Sequence, residues 1–194
     1  ISDGFRAGGN NNLTLCDTSA GQQNVCAQPD EMAYTSEKTR NYEIGIKSQL
    51  LDRRLTLNGA VFYIDWQDPQ VSGATLVGLS PITKNGEGAE TKGFEVSFDA
   101  AVTERFSLRG SYSYAQAELT DDAPNLITAL DPPGFGTVYV DGEAGDRLPG
   151  SPEYQASLYA EYNMPLSSGL DLDFAYGFTA SGDVLTRTGA RGGG

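Results

Sequence analysis

Hydrophobic and polar residues alternate with a period of two through several long runs of this chain, most clearly between Ser36 and Gln67. Tyr42, Ile44, Ile46 and Leu50 share one face with Ser48, whereas Asn41, Glu43, Gly45, Lys47 and Gln49 share the other, which is the spacing of an extended strand. Leu51, Asp52, Arg53 and Arg54 read as a tight, charged turn. Beyond it Leu55, Leu57, Gly59, Val61 and Tyr63 alternate with Thr56, Asn58, Ala60, Phe62 and Ile64. Runs of about a dozen residues exceed the ~5 to 6 of an average soluble strand and suit the ~9 to 11 tilted residues that cross a bilayer. The pattern predicts two long antiparallel strands of a membrane barrel.

The same alternation recurs downstream. Phe94, Val96, Phe98 and Ala100 oppose Gly93, Glu95, Ser97 and Asp99 within Thr91 to Ala101. After a short turn at Thr103 and Glu104, Phe106, Leu108, Gly110, Tyr112 and Tyr114 oppose Ser107, Arg109, Ser111, Ser113 and Ala115. Tyr154, Ala156, Leu158, Ala160 and Tyr162 oppose Gln155, Ser157, Tyr159, Glu161 and Asn163. Following the turn MPLSSG, Leu170, Leu172, Phe174, Tyr176 and Phe178 oppose Asp171, Asp173, Ala175, Gly177 and Thr179. With a strand end in ISDGFR, this predicts six full strands and an opening remnant.

The connections alternate between short turns, near Asp52, Glu104 and Ser167, and long polar stretches, near Cys16, Ala74 and Pro132. Asp68 to Gly88 reads as a loop with room for a short strand, and Glu118 to Pro152 as irregular, since its prolines cannot serve a central ladder. Tight turns at one end and long loops at the other is the outer-membrane arrangement. Tyr42, Tyr63, Trp66, Tyr112, Tyr114, Tyr154, Tyr176 and Phe178 gather toward the long loops, and Phe98, Phe106 and Tyr162 toward the turns, as two interfacial belts. The fold class is therefore all-β, an antiparallel transmembrane β-barrel segment. Phe62 and Tyr159 break the polar face, either by packing against something inside the barrel or through a local shift of register.

Composition narrows the function. Only 39% of the 194 residues are hydrophobic and no run is long and apolar enough for a membrane helix, which barrel strands do not need. A net charge of −13 with scattered Lys and Arg argues against a nucleic-acid partner. The absence of histidine removes Ser-His and Cys-His dyads and the usual zinc sites, so no enzyme, metal or cofactor is expected. The acid pairs Asp121 with Asp122 and Asp171 with Asp173 read as solvated carboxylates rather than a catalytic pair. Cys16 and Cys26 suit a disulfide closing a small surface loop in an oxidising compartment, with free thiols as the alternative. Ile1 opens no signal peptide and the chain ends in TGARGGG, so an interior piece of a longer protein is expected.

Several segments resemble successive barrel strands of TonB-dependent outer-membrane receptors. These are NYEIGIKS before a short turn, VFYIDWQD ending the return strand, the glycine-rich series from Asn85 to Glu95, and RLPGSPEY. The resemblance covers nearly the whole chain. It implies a barrel of about twenty-two strands around an N-terminal plug. An inner-membrane energy-coupling complex acts on that plug to release a bound nutrient. Residues 1–194 would then be part of one barrel domain, without the plug or the terminal barrel strands. Expected partners are outer-membrane lipid of a Gram-negative bacterium, the receptor's own plug and remaining strands, the TonB complex, and a small nutrient, with a ferric siderophore favoured. A passive porin and a soluble β-sandwich adhesin are the rival readings.

Candidate contacts follow from this frame. The inward-facing Glu43, Lys47, Glu95, Asp99, Arg109 and Glu161 are candidates for touching a plug, against a plain role in wetting a polar lumen. Arg6, Asn10, Asn11, Trp66, Gln70, Asp121, Asp122, Tyr139 and Arg147, in or beside the long loops, are candidates for touching a ligand.

Overall fold

A strand with one apolar and one polar face must separate two media, and a sheet of such strands does so over its whole area. The computed structural model describes residues 1–16, 26–77, 80–130, 137–167 and 169–185; side chains between 124 and 141 lie outside the described set. In chain order the strands are β1 (Ser2–Arg6), β2 (Gly9–Asn10), β3 (Ala33–Tyr34), β4 (Glu37–Leu50), β5 (Leu55–Gln67), β6 (Gln70–Ala74) and β7 (Pro81–Asn85). They continue with β8 (Gly88–Ala101), β9 (Phe106–Leu119), β10 (Ala123–Leu130), β11 (Thr137–Gly142), β12 (Tyr154–Pro165) and β13 (Asp171–Ser181). A single sheet in the order β1-β4-β5-β8-β9-β12-β13 holds the long strands, each antiparallel to its neighbour. The pairs β2–β3, β6–β7 and β10–β11 form three small sheets in the long connections.

The tight turns that join long strands directly all lie at one end, at 51–54, 102–105 and 166–170. Leu51, Asp52 and Arg53 adopt φ of 53°, 53° and 66°, three consecutive left-handed residues closed by the Arg54 N–H donating to Leu51 O at 3.1 Å. Arg54 also ties this turn to the next one, its Nε donating to Ala101 O and its Nη2 to Val102 O. Two sequence expectations need correction at the opposite end. The stretch after Gln67 is a complete hairpin, β6–β7, and the stretch after Glu118 contains the hairpin β10–β11. Strands β8 and β9 also run further toward the loops than their alternation suggested, to Gly88 and Leu119.

The sheet has one layer. Ile44, Ile46, Val61 and Phe174 on its convex face are 78, 64, 56 and 53% exposed. The buried apolar residues Cys26, Ala27, Ala74, Ile82, Ala89, Leu119 and Ala123 lie in the connections or at the strand ends beside them. A β-sandwich would cover those isoleucines with a second sheet about 10 Å away, and among the described residues no such sheet exists. The apolar face needs lipid. Ring contacts mark its upper edge, with Tyr42 and Tyr63 centroids 6.3 Å apart and Phe94 lying 5.8 and 6.0 Å from Tyr112 and Tyr114.

Phe62 and Tyr159 are explained without any shift of register, which runs unbroken between the paired long strands. Each covers a glycine on the neighbouring strand. A Cβ on Gly93 would sit 2.4 Å from the Phe62 ring, and one on Gly177 would sit 3.6 Å from the Tyr159 ring. On the lipid face Phe98 covers Gly110 in the same way, at 2.7 Å. The glycine removes a side chain from one strand so that an aromatic ring can lie flat across it, restoring the contact area the glycine gave up.

Two expected outcomes follow from this architecture. Val61→Arg, on the lipid face, lowers stability by ~2 to 4 kcal/mol, whereas Asn58→Arg, on the concave face, costs much less; reversible unfolding of the receptor in lipid vesicles measures both, and equal costs would contradict the assignment of faces. Gly110→Ala costs about 1 to 3 kcal/mol by overpacking against Phe98, and the same change costs less in a Phe98→Leu background, a non-additivity that a double-mutant cycle reads directly.

Candidate functional site

The concave face is built from the polar half of each strand's alternation. Register carries Lys47, Asn58, Ser97, Ser111, Ser157 and Thr179 into one row across six strands. Asn58 Nδ2 donates to Ser97 Oγ at 3.3 Å, and the Ser111 and Ser157 hydroxyls are 2.8 Å apart. Sequence reasoning named the individual residues as polar but not this row, which only cross-strand register reveals. Glu43, Glu95, Ser113 and Gln155 join it in lining a hollow of about 650 Å³ along the concave side.

Of the six lumen candidates, Asp99, Arg109 and Glu161 come together near the short turns. Asp99 is the cross-strand partner of Arg109, whose Nη2 meets Glu161 Oε2 at 3.1 Å and whose guanidinium lies 4.9 Å from the centre of the Tyr159 ring. Glu43, Lys47 and Glu95 stand apart from that group and from one another, and among the described residues they form no ion pair. Three charges on a wall with spare hydrogen-bonding capacity suit contact with a polar occupant.

Above the tyrosine belt the polarity of the sheet inverts. On the outer face a row runs Asp3, Arg40, Asp65, Glu90 and Glu118. Arg40 pairs with Asp3 at 2.7 Å, and Tyr63 donates to Glu90 at 3.0 Å. On the inner face at the same height the rows run Asn41, Ile64, Thr91, Ala117 and Thr39, Trp66, Ala89, Leu119. The ends of the strands therefore stand in water on the outside and present an apolar shelf inward. Trp66 projects onto this shelf half-buried, and its Nε1 has no acceptor among the described residues.

The loop candidates divide by what already holds them. Arg6 meets Glu37 at 2.8 Å and donates to Gln70 O, while the Gln70 side chain donates to Ala7 O and Thr35 O. The Asn11 amide donates to Glu31 O and Thr83 O and accepts from the Thr83 N–H. Arg147, only 17% exposed in its side chain, meets Glu153 at 3.6 Å and Asp183 at 3.2 Å and donates to Ser151 O and Asp183 O. Asp122 accepts the Ala144 N–H and Asp121 accepts from the Thr120 hydroxyl. Asn10 is exposed at the end of β2, and the Tyr139 side chain lies outside the described residues. Glu37, 8% exposed, is the group at this end that sequence reasoning missed, because nothing in the local pattern distinguishes it from a surface carboxylate. Cys16 and Cys26 are bonded to each other.

Comparison with known proteins bears on the whole of this surface. The chain matches the family described as TonB dependent receptor-like, beta-barrel, over residues 1–192. It is 34% identical over 90 residues to the metal-pseudopaline receptor of Pseudomonas aeruginosa, covering 46% of this chain and 12% of that one. It is 29% identical over 160 residues to the ferrichrome outer membrane transporter/phage receptor of Escherichia coli strain K12, covering 78% of this chain and 18% of the other. This chain thus spans less than a fifth of the length of these relatives. The crystal structure of the ferric yersiniabactin uptake receptor from Yersinia pestis has a similar fold, with a TM-score of 0.62 at 19% identity, over 93% of this chain and 22% of that one.

The Arg147 contacts carry an expected outcome of their own. A charge-assisted hydrogen bond contributes ~1.5 to 3 kcal/mol, so Arg147→Ala lowers unfolding stability by about 2 kcal/mol. Arg147→Lys, which keeps the charge but loses the planar fork, falls in between. Denaturant titration of the folded receptor in detergent distinguishes the two.

Proposed function

This chain belongs to the TonB-dependent receptor β-barrel family, and from that membership we propose that the whole protein imports a scarce, bulky nutrient, a ferric siderophore, with energy delivered from the inner membrane through TonB. Its strands lie in the outer membrane of a Gram-negative bacterium. In this reading the seven strands of the main sheet supply about a third of a barrel of about twenty-two strands, and the plug and the remaining strands belong to the longer protein.

The observation that carries the reading is the family match over residues 1–192, supported by a sheet whose long connections all stand at one end. Those connections capture the ligand, and the inward shelf of Trp66 and Ile64 offers it an apolar wall. Glu43, Lys47, Glu95, Asp99, Arg109 and Glu161 face the plug across the lumen. Binding alone moves no solute uphill, so the work enters through the plug from the coupling complex.

Cells expressing the complete gene accumulate an iron-55-labelled ferric siderophore, and an uncoupler abolishes that accumulation while leaving binding at the cell surface intact. Uptake that persists with the uncoupler would mean a passive pore. Trp66→Ala weakens surface binding, and Asn58→Ala, remote from the shelf, leaves it unchanged.

A further inference from the structure

Much of the apolar burial in this structure lies outside the barrel wall. Cys26, Ala27, Ala74, Thr75 and Ile82 are 1, 0, 9, 0 and 6% exposed, and Pro69 is fully buried. These residues come from two separate connections, 7–36 and 68–87, which meet along a seam where Cys26 bridges to Val77 and Asn11 to Thr83. The hydrogen bonds cross the same seam. Asn11 engages both the N–H and the C=O of Thr83, at 3.0 and 2.7 Å, so its amide pairs with the edge of β7 as another strand's backbone would. Glu31 accepts the Leu76 N–H at 2.7 Å, Asn85 accepts the Thr35 N–H at 2.7 Å, and the Cys26 N–H donates to Val77 O at 3.3 Å. At the base Glu37 accepts the Gln70 N–H at 2.7 Å and meets Arg6.

We infer that the segments 9–16 and 26–36, joined by the Cys16–Cys26 disulfide, and the β6–β7 hairpin are a single rigid platform, keyed together by Asn11. The two connections then move as one body. The disulfide fixes Cys26 in the seam, where its own N–H and that of Ala27 are bonded, the second to Thr14 O at 2.9 Å. Releasing it frees the segment that carries the buried Cys26 and Ala27, so the hairpin, which has no cysteine, loosens with it. A hollow of about 330 Å³ opens along the seam, floored by Ala74 and Ile82 with Asp30 and Lys84 at its rim, and it keeps its shape only while the platform holds. The consequence for ligand capture rests on the import function proposed above, while the coupling of the two connections does not.

Amide hydrogen exchange on the full-length receptor in lipid nanodiscs tests this without any ligand. A dithiol reductant passes two electrons to the Cys16–Cys26 bond, its own sulfurs joining in a disulfide as each cysteine sulfur takes up a proton. Exchange across 70–85 then accelerates roughly tenfold, while the strands β4, β5, β8 and β9 keep their rates. Asn11→Ala, with the disulfide intact, accelerates the same amides. Faster exchange confined to 7–36, or no change in 70–85 with either treatment, would show two independent loops and overturn the platform. A uniform rise throughout the sheet would overturn it as well, because the bond would then act on the whole fold. Surface binding of the labelled siderophore, measured on cells treated with the same reductant, falls if capture uses the platform; a fall in binding with exchange unaltered would overturn the coupling as its cause.

Discussion

Lipid forms no hydrogen bonds, and that constraint decides the shape of everything else in this chain. Each backbone N–H and C=O in the hydrocarbon must find a partner within the protein, so every spanning strand needs a neighbour on both sides. The ladders meet this demand without interruption, with Lys38 to Leu50 of β4 facing Leu55 to Gln67 of β5, and β5 in turn facing β8 along its whole length. Of the six neighbouring pairs, β4–β5, β8–β9 and β12–β13 are joined directly by tight turns, the shortest route to an antiparallel partner. The strands β1 and β13 have one paired edge each within this sheet, and in a membrane the rest of the barrel must complete them.

Satisfying the backbone with strands commits the side chains to a strict in-out alternation, and where the surrounding medium changes, the alternation must change sign. The change happens here between the Tyr42 and Arg40 rows. Below it Ile44 and Val61 face lipid while Glu43 and Asn58 face the lumen; above it Arg40, Asp65 and Glu90 face outward while Ile64 and Trp66 face in. Strands β4, β8 and β9, of fourteen residues each, exceed the ~9 to 11 that the hydrocarbon needs, and the excess is the part whose polarity inverts. One continuous strand thus serves first as membrane wall and then as the wall of an aqueous vestibule.

This inversion also explains which features could be read from the sequence. The long strands, their faces, the short turns and the disulfide were legible, since each is a local pattern or a local pair, as with Ile44 and Ile46 or Cys16 and Cys26. The loop-side extensions of β8 and β9 were not, because Glu90, Lys92, Gln116 and Glu118 put polar residues on the face that lower down is apolar. The hairpins β6–β7 and β10–β11 escaped for a different reason. Their strands are short, Pro81 opens one of them, and they are held by side chains remote in sequence, as Thr83 is by Asn11. The loop candidates Arg6, Gln70 and Arg147 were recognisable as functional residue types, but their partners Glu37 and Asp183 are set by tertiary contact alone.

A rigid wall also changes what loops above it can do. Binding a ligand with mobile loops costs about 0.5 to 1.5 kcal/mol for each side chain that must be ordered, and long connections on a stiff barrel would ordinarily incur that cost in full. Here much of the ordering is already done in the fold. Hydrogen bonds from Cys26 to Val77 and from Asn11 to Thr83 join two of the three connections, and Val71 of β6 packs, as Leu148 does, against Leu119 and Ala123 at the base of the third. Contacts radiating from the β6–β7 hairpin therefore reach both of its neighbours. Under the import function proposed above, such an arrangement favours capture by a preformed surface over capture by folding around the ligand, and it gives the hairpin between β5 and β8 the central place among the connections.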